Sequence, residues 1–143
     1  MKFNFSKEID VIRFRERGEY LIRKKEENVE LIVRRTIPQN SYLHLILGWF
    51  AIESGNTIKY VKEEYYKRLV NPDIFIREKQ DKYVGKVLEL RSSTKLTTSE
   101  MATSIERFRN WSSMEAGIYL PADNEDKFLK HINEEIERNK IWL

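Results

Sequence analysis

Residues 38–54 constrain this chain more than any other stretch, because they leave a helix almost no polar face. The span carries Leu43, Leu45, Ile46, Leu47, Trp49, Phe50 and Ile52. A helix that is apolar nearly all round has to run through a core, with the rest of the chain packed around it. Its start is marked by Thr36, a capping hydroxyl, and by Pro38 in the first turn, where a missing N–H costs nothing. Gly55-Asn56 marks its end. The apolar run from Tyr42 to Ile52 is about half the length a bilayer needs, so the spacing predicts a core helix and not a membrane span.

The remaining segments read as a mixture of helices and short strands. Lys2-Phe3-Asn4-Phe5 alternates polar and aromatic residues and predicts a short strand. Residues 8–26 fit a helix in their second half, although Val11 to Arg15 also suits a strand and Gly18 interrupts either pattern. Val29 to Val33 predicts a strand. Thr57 caps a helix with Ile58, Val61, Tyr65 and Leu69 on one stripe, which Asn71-Pro72-Asp73 breaks. Ile74-Phe75-Ile76 and Tyr83 to Leu90 predict the two strands of a hairpin joined by the charged stretch Arg77 to Lys82. Thr97-Thr98-Ser99-Glu100 matches a capping box. The helix it opens buries Met101, Ile105, Phe108 and Trp111 or Ser112, and Gly117 closes it. Ile118 to Pro121 is an extended link. Asp123 or Asn124 caps a last, acidic helix at about residues 123–140, with Phe128, Ile132 and Ile136 on its apolar stripe. Ile141-Trp142-Leu143 is an apolar tail, suited to the chain's own core or to a subunit contact. Without strict strand–helix alternation the class is α+β: a single domain over 1–143, with a small, mostly antiparallel sheet and four to five helices. A chain of 143 residues can bury roughly two thirds of its unfolded surface, enough for a real core.

Charge narrows the function less than its distribution does. The formal net charge is +3, too small to identify a nucleic-acid binder by itself. Residues 57–95 hold ten Lys/Arg against six Asp/Glu, whereas residues 123–140 hold four against six. The chain has no cysteine, which excludes disulfides and thiolate metal sites. Met1 to Ser6 lacks the apolar core of a signal peptide, and a soluble cytoplasmic protein is expected.

Phosphate is the first ligand the residues suggest. Arg34 and Arg35 end a strand pattern, and Gln39 and Asn40 follow in the first turn of a helix, where unpaired N–H groups favour anions. Guanidinium engages phosphate readily, although consecutive strand residues face opposite sides and one arginine of the pair could be in an ion pair. The two amides could contact phosphate or base edges, or could fix the loop locally. Arg91, Ser93, Thr94 and Lys95 form a second polar loop before a helix, either a phosphate seat or simply a loop. Binding of unpaired bases uses exposed aromatic faces, and Tyr42, Tyr60, Tyr65, Tyr66 and Tyr83 are numerous, with Lys59, Lys62 and Lys67 flanking several; Tyr65 lies on the expected core stripe, Tyr60 or Tyr66 could be exposed, and Trp49 and Trp111 belong to the core by their spacing. Chemistry is poorly supplied. His44 and His131 are far apart, and no metal-binding His pair exists. Asp73 and Glu89 loosely resemble the carboxylates of Mg²⁺-dependent nucleases, but Arg91 stands where such a site would place a lysine.

Three pieces carry a family resemblance. They are Arg35-Thr36-Ile37-Pro38-Gln39-Asn40 before a Trp49-bearing helix, Arg91-Ser92-Ser93-Thr94-Lys95-Leu96 before a capped helix, and Glu115-Ala116-Gly117-Ile118-Tyr119 at that helix's end. In this order and spacing, over roughly residues 29–122, the chain resembles the phage NinB recombination proteins, also called Orf. The resemblance implies a recombination mediator that binds single-stranded DNA and helps install a strand-exchange protein. It also implies a homodimer around a basic cleft, with no cofactor and no bond-breaking chemistry. On that reading Arg34, Arg35, Gln39, Asn40, Lys59, Lys62, Arg91, Ser93, Thr94 and Lys95 are the expected DNA contacts. The alternatives are a Mg²⁺-dependent nuclease or junction resolvase, and an adaptor that contacts protein only, through its acidic last helix and Trp142. The recombinase or single-strand-binding protein it would meet is not specified by the residues.

Overall fold

The computed structural model describes residues 3–25, 27–29 and 37–143. Arg34, Arg35, Thr36 and all but Val29 of the expected strand at Val29–Val33 lie outside the described residues. Two units divide the chain, residues 1–35 and residues 36–143. In the first, α1 spans Glu8–Arg23 and runs straight through Gly18, so the strand alternative for Val11 to Arg15 does not hold. Nor does a strand form at Phe3–Phe5. The backbone turns there because the Asn4 side chain accepts from the Ser6 N–H while the Asn4 N–H donates to Asp10. That turn brings Phe3 and Phe5 edge-on to Phe14, with ring centroids 5.4 and 4.8 Å apart.

In the second unit α2, Gln39–Ser54, is the central element. Tyr42, Leu43, Leu45, Ile46, Leu47, Phe50 and Ala51 are all buried, as an apolar circumference requires. Each fully buried Leu, Ile or Phe among them contributes about 1.5–3 kcal/mol. Gly55 ends the helix in the left-handed region at φ 74°, which glycine adopts without a Cβ penalty. Against α2 lies α6, Asp126–Arg138, through Leu129, Ile132 and Ile136. The two helices approach so closely at Gly48 that a Cβ there would collide with Ile136 Cδ1 and lie 2.9 Å from its Cγ1. Trp49 closes the same seam edge-on to Phe128, 5.6 Å between centroids. The cap expected at Asp123 or Asn124 sits at Glu125 instead, whose carboxylate accepts from the Ala122 N–H and the Tyr119 hydroxyl. At the end of the chain Leu143 packs against the core, while Ile141 is fully exposed.

Helix α3 begins at Ile58–Tyr60, with the Thr57 hydroxyl accepting from the Tyr60 N–H as expected of a cap. It then widens into a π-helical segment over Val61–Val70. In a π-helix residues five apart share a face. Val61, Tyr66 and Asn71 follow that spacing and are all 0 % exposed, whereas Leu69, expected on the core stripe, is 57 % exposed. Tyr66 is therefore not available to stack on a base. Its hydroxyl meets Ser104 Oγ at 2.6 Å, and Asn71 Nδ2 donates to the carbonyls of Tyr66 and Ser104. Ser104 lies on α5, Thr98–Trp111, so this polar thread ties two helices together inside the core. Burial pushes the Tyr66 phenol up to about 12.

The capping box at Thr97 and Glu100 is present in both directions. Met101, Ile105, Phe108 and Ser112 are buried as the helical spacing requires, and Trp111 is half-buried against Phe108 and Phe50. Past Trp111 the helix also widens, over Ser112–Ala116, before Gly117 closes it at φ 66°.

The hairpin exists, and its second strand ends at Leu90 as expected, but its first strand is displaced. Pro72–Phe75 is a short helix, α4, because Asn71-Pro72 starts a turn in which Pro occupies the first position. The charged stretch expected to be the loop is itself the first strand, β1, Ile76–Asp81; β2 is Gly85–Leu90. They pair antiparallel, with Ile76 opposite Leu90 and Asp81 opposite Gly85. Lys82-Tyr83-Val84 makes the turn. The Asp81 carboxylate accepts from the Tyr83 and Val84 N–H groups at 2.8 and 2.9 Å, and Gly85 takes φ 87°. With helices α1–α6 and one small antiparallel sheet among the described residues, the fold class is α+β. No described helix is long and apolar enough to cross a membrane.

Candidate nucleic-acid interface

Arg91 leaves β2 and turns back into the chain. Its N–H donates to the Phe75 carbonyl at 2.7 Å, and its carbonyl accepts from Lys67 Nζ at 2.9 Å. Its guanidinium holds the Glu100 carboxylate at 2.8 and 3.4 Å and the Lys95 carbonyl at 3.0 Å. This fork, together with the Thr97 N–H, holds the Glu100 carboxyl down at about 2. The charge of Arg91 is thus met inside the chain, and the loop after it is filled from within. Ser93 is buried, and Ser92 Oγ accepts from the Thr94 N–H and shares a hydrogen bond with Thr94 Oγ1. Of the expected phosphate seat, only Lys95 offers an exposed cation without a carboxylate partner among the described residues.

Lys67 is also unavailable. It is 7 % exposed, its amine lies 5.3 Å from the Phe75 ring, and burial lowers its pKa. Lys59 is exposed and Lys62 half-buried on α3 and its π-helical continuation; neither is ion-paired among the described residues. Tyr60, between them, is 47 % exposed. On the hairpin Lys79 approaches Glu89 at 3.9 Å, while Lys82 and Lys86 have no carboxylate partner among the described residues. Of the lysines in the net positive stretch 57–95, Lys59, Lys62, Lys82, Lys86 and Lys95 have no carboxylate partner among the described residues; Arg77 donates to the Asp73 and Ile76 carbonyls, and Arg68 and Arg91 are paired with Glu64 and Glu100.

Gln39 and Asn40, neighbours in the first turn of α2, meet different surroundings. Asn40 is exposed, whereas Gln39 reaches the Thr98 carbonyl at 3.4 Å and lines a cleft of about 420 Å³. The opposite wall is a stripe of α5 and its extension, Ala102, Glu106, Arg109 and Ser113, and the floor is Tyr42 with the Tyr119–Asp123 link. Tyr42 donates to the Pro121 carbonyl and Arg109 Nε to the Leu120 carbonyl at 3.2 Å, so the link is pinned from two helices. Arg109 keeps its terminal nitrogens free of carboxylates among the described residues. Tyr119 donates to Glu125 at 2.7 Å, and that bond pushes its phenol up. One guanidinium beside Glu106 and Asp123 does not make a cationic bowl. Amide and guanidinium donors next to carboxylate acceptors match a base edge better than a phosphodiester. Sequence reasoning missed Arg109, Asn110, Ser113 and Tyr119. The only local signal was the polar and small-residue stripe at helical spacing, which looks like any solvated helix face until the link closes over it.

Asp73 and Glu89, the two carboxylates with a nuclease-like flavour, are each held by a cation: Asp73 by Arg107 at 2.9 Å, Glu89 by Lys79. No group of three or more His, Asp or Glu able to hold a metal occurs among the described residues. Compared with known proteins, the chain matches no family model, no curated protein and no solved structure.

Proposed function

We propose that this chain is a non-enzymatic single-stranded DNA-binding protein of the phage recombination type, which helps install a strand-exchange protein and works as a cytoplasmic homodimer. The observation that supports DNA binding is the set of unpaired lysines in residues 57–95: Lys59, Lys62, Lys82, Lys86 and Lys95. Phosphates displace counterions from such groups, and the entropy of release drives binding with little sequence preference. The recombination role and the dimer rest on the resemblance to the NinB proteins. The Gln39–Arg109 cleft would add a place for an unpaired base.

An anisotropy titration with single-stranded, duplex and forked DNA of one length tests the reading. The expected order is single-stranded and forked DNA above duplex. Equal affinity for all three, or none for any, contradicts it. Capture of a strand-exchange protein in the absence of any DNA affinity would move the chain to the adaptor class.

A further inference from the structure

We infer that the tip of the β1–β2 hairpin is a stacking contact for an unpaired nucleobase, with Tyr83 as the platform and Lys82 and Lys86 as its phosphate contacts. This inference rests on the single-strand reading above and assigns that reading a residue which the expected contacts did not include.

The tip is built to hold Tyr83 outward. The Asp81 carboxylate takes the Tyr83 and Val84 N–H groups, and Gly85 turns the chain back at φ 87°. The base of the hairpin is equally fixed. Arg91 N–H bonds to the Phe75 carbonyl, and Arg91 is clamped on Glu100. Between these anchors the strands carry their side chains into solvent.

Tyr83 is 88 % exposed, the most exposed large aromatic side chain among the described residues. Lys82 Nζ lies 5.6 Å from its ring centroid, so one edge of the platform is cationic. The hairpin, residues 76–90, carries Arg77, Lys79, Lys82 and Lys86 against Glu78, Asp81 and Glu89; Lys79 is met by Glu89, which leaves Lys82 and Lys86 beside the tip without a carboxylate partner among the described residues. Asp81 is committed to the turn, and the same N–H groups keep its carboxyl below its usual range. An exposed aromatic ring flanked by lysines, with the carboxylate of its own turn facing inward, is complementary to a polyanion that has free aromatic faces. Single-stranded nucleic acid has both; a duplex hides its base faces, and an acidic peptide has no base to stack.

The test is a titration of fluorescein-labelled oligo-dT and of a duplex of equal length with the intact chain and its Tyr83→Ala, Tyr83→Phe and Lys82→Ala/Lys86→Ala variants. At 88 % exposure Tyr83 can be truncated without disturbing packing, and matched thermal unfolding checks this. The expected result is a loss of about 5- to 150-fold for Tyr83→Ala on the single strand, within about twofold of wild type for Tyr83→Phe. The lysine pair should weaken single-strand binding and flatten its salt dependence. Wild-type affinity in Tyr83→Ala overturns the hairpin inference and leaves the single-strand reading standing. An equal loss on duplex also overturns it, since stacking needs an unpaired base. No binding by the wild-type chain overturns both.

Discussion

One carboxylate, Glu100, is shared between the first turn of α5 and the guanidinium of Arg91. Its pKa falls from an ordinary 4.5 to about 2, first because of the Arg91 hydrogen bond and then because of the Thr97 N–H. A carboxylate depressed in the folded state stabilises above its unfolded pKa, and that contribution fades as pH falls from 4.5 toward 2. Thermal unfolding followed from about pH 6 down to about pH 2 should therefore show a loss of stability in the wild type that is smaller in Glu100→Gln. Identical pH profiles would mean that the fork does not persist in solution. Gly48 gives a second prediction at the same scale. A methyl group there runs into Ile136, so Gly48→Ala should destabilise by about 1–3 kcal/mol in chemical denaturation despite its better helix propensity. A stabilised variant would mean that α2 and α6 are not so close. Arg91 was legible as an important residue from its position before a polar loop. Its partner was not: Glu100 lies nine residues away and already had a role in the capping box, and nothing in a linear pattern shows that one carboxylate serves both.

Elements with a strong local code were read correctly. The helix over Gln39–Ser54, the Thr97 cap and the Gly55 and Gly117 terminations each rest on residues that do one thing well. Thr97→Ala should cost about 1 kcal/mol of stability, because the Glu100 N–H loses its acceptor; Thr97→Ser should restore most of it, and equal stability of all three would discount the cap. Elements that fail a periodicity test were misplaced. β1 is polar from Arg77 to Asp81 and its middle four residues are exposed on both faces, so it has no apolar alternation to betray it. The π-helical stretch moved Tyr66 inward and Leu69 outward by changing which residues share a face. That difference also reorders the stacking candidates: Tyr66 is core, whereas Tyr60 is 47 % exposed and Tyr83, within the expected second strand, is 88 % exposed.

For the molecule as a whole, charge pairing reorders the expected contacts. Arg91 and Ser93 are occupied by the fold, Gln39 faces a cleft of mixed charge, and Lys59, Lys62, Lys82, Lys86 and Lys95 remain available. The total of +3 could not distinguish a paired cation from a free one; only coordinates assign partners. The Arg109–Tyr119 cleft likewise exists only once α5 and the link meet. The most direct test of the account is the salt dependence of oligo-dT binding, measured by anisotropy for the wild type and for a variant with Lys59, Lys62, Lys82, Lys86 and Lys95 all changed to alanine. If these lysines meet phosphates, the plot of log affinity against log salt should be steep. Every phosphate that the variant no longer neutralises should make the slope shallower by about 0.7. A flat plot for the wild type, or the same slope in the five-lysine variant, would contradict the account.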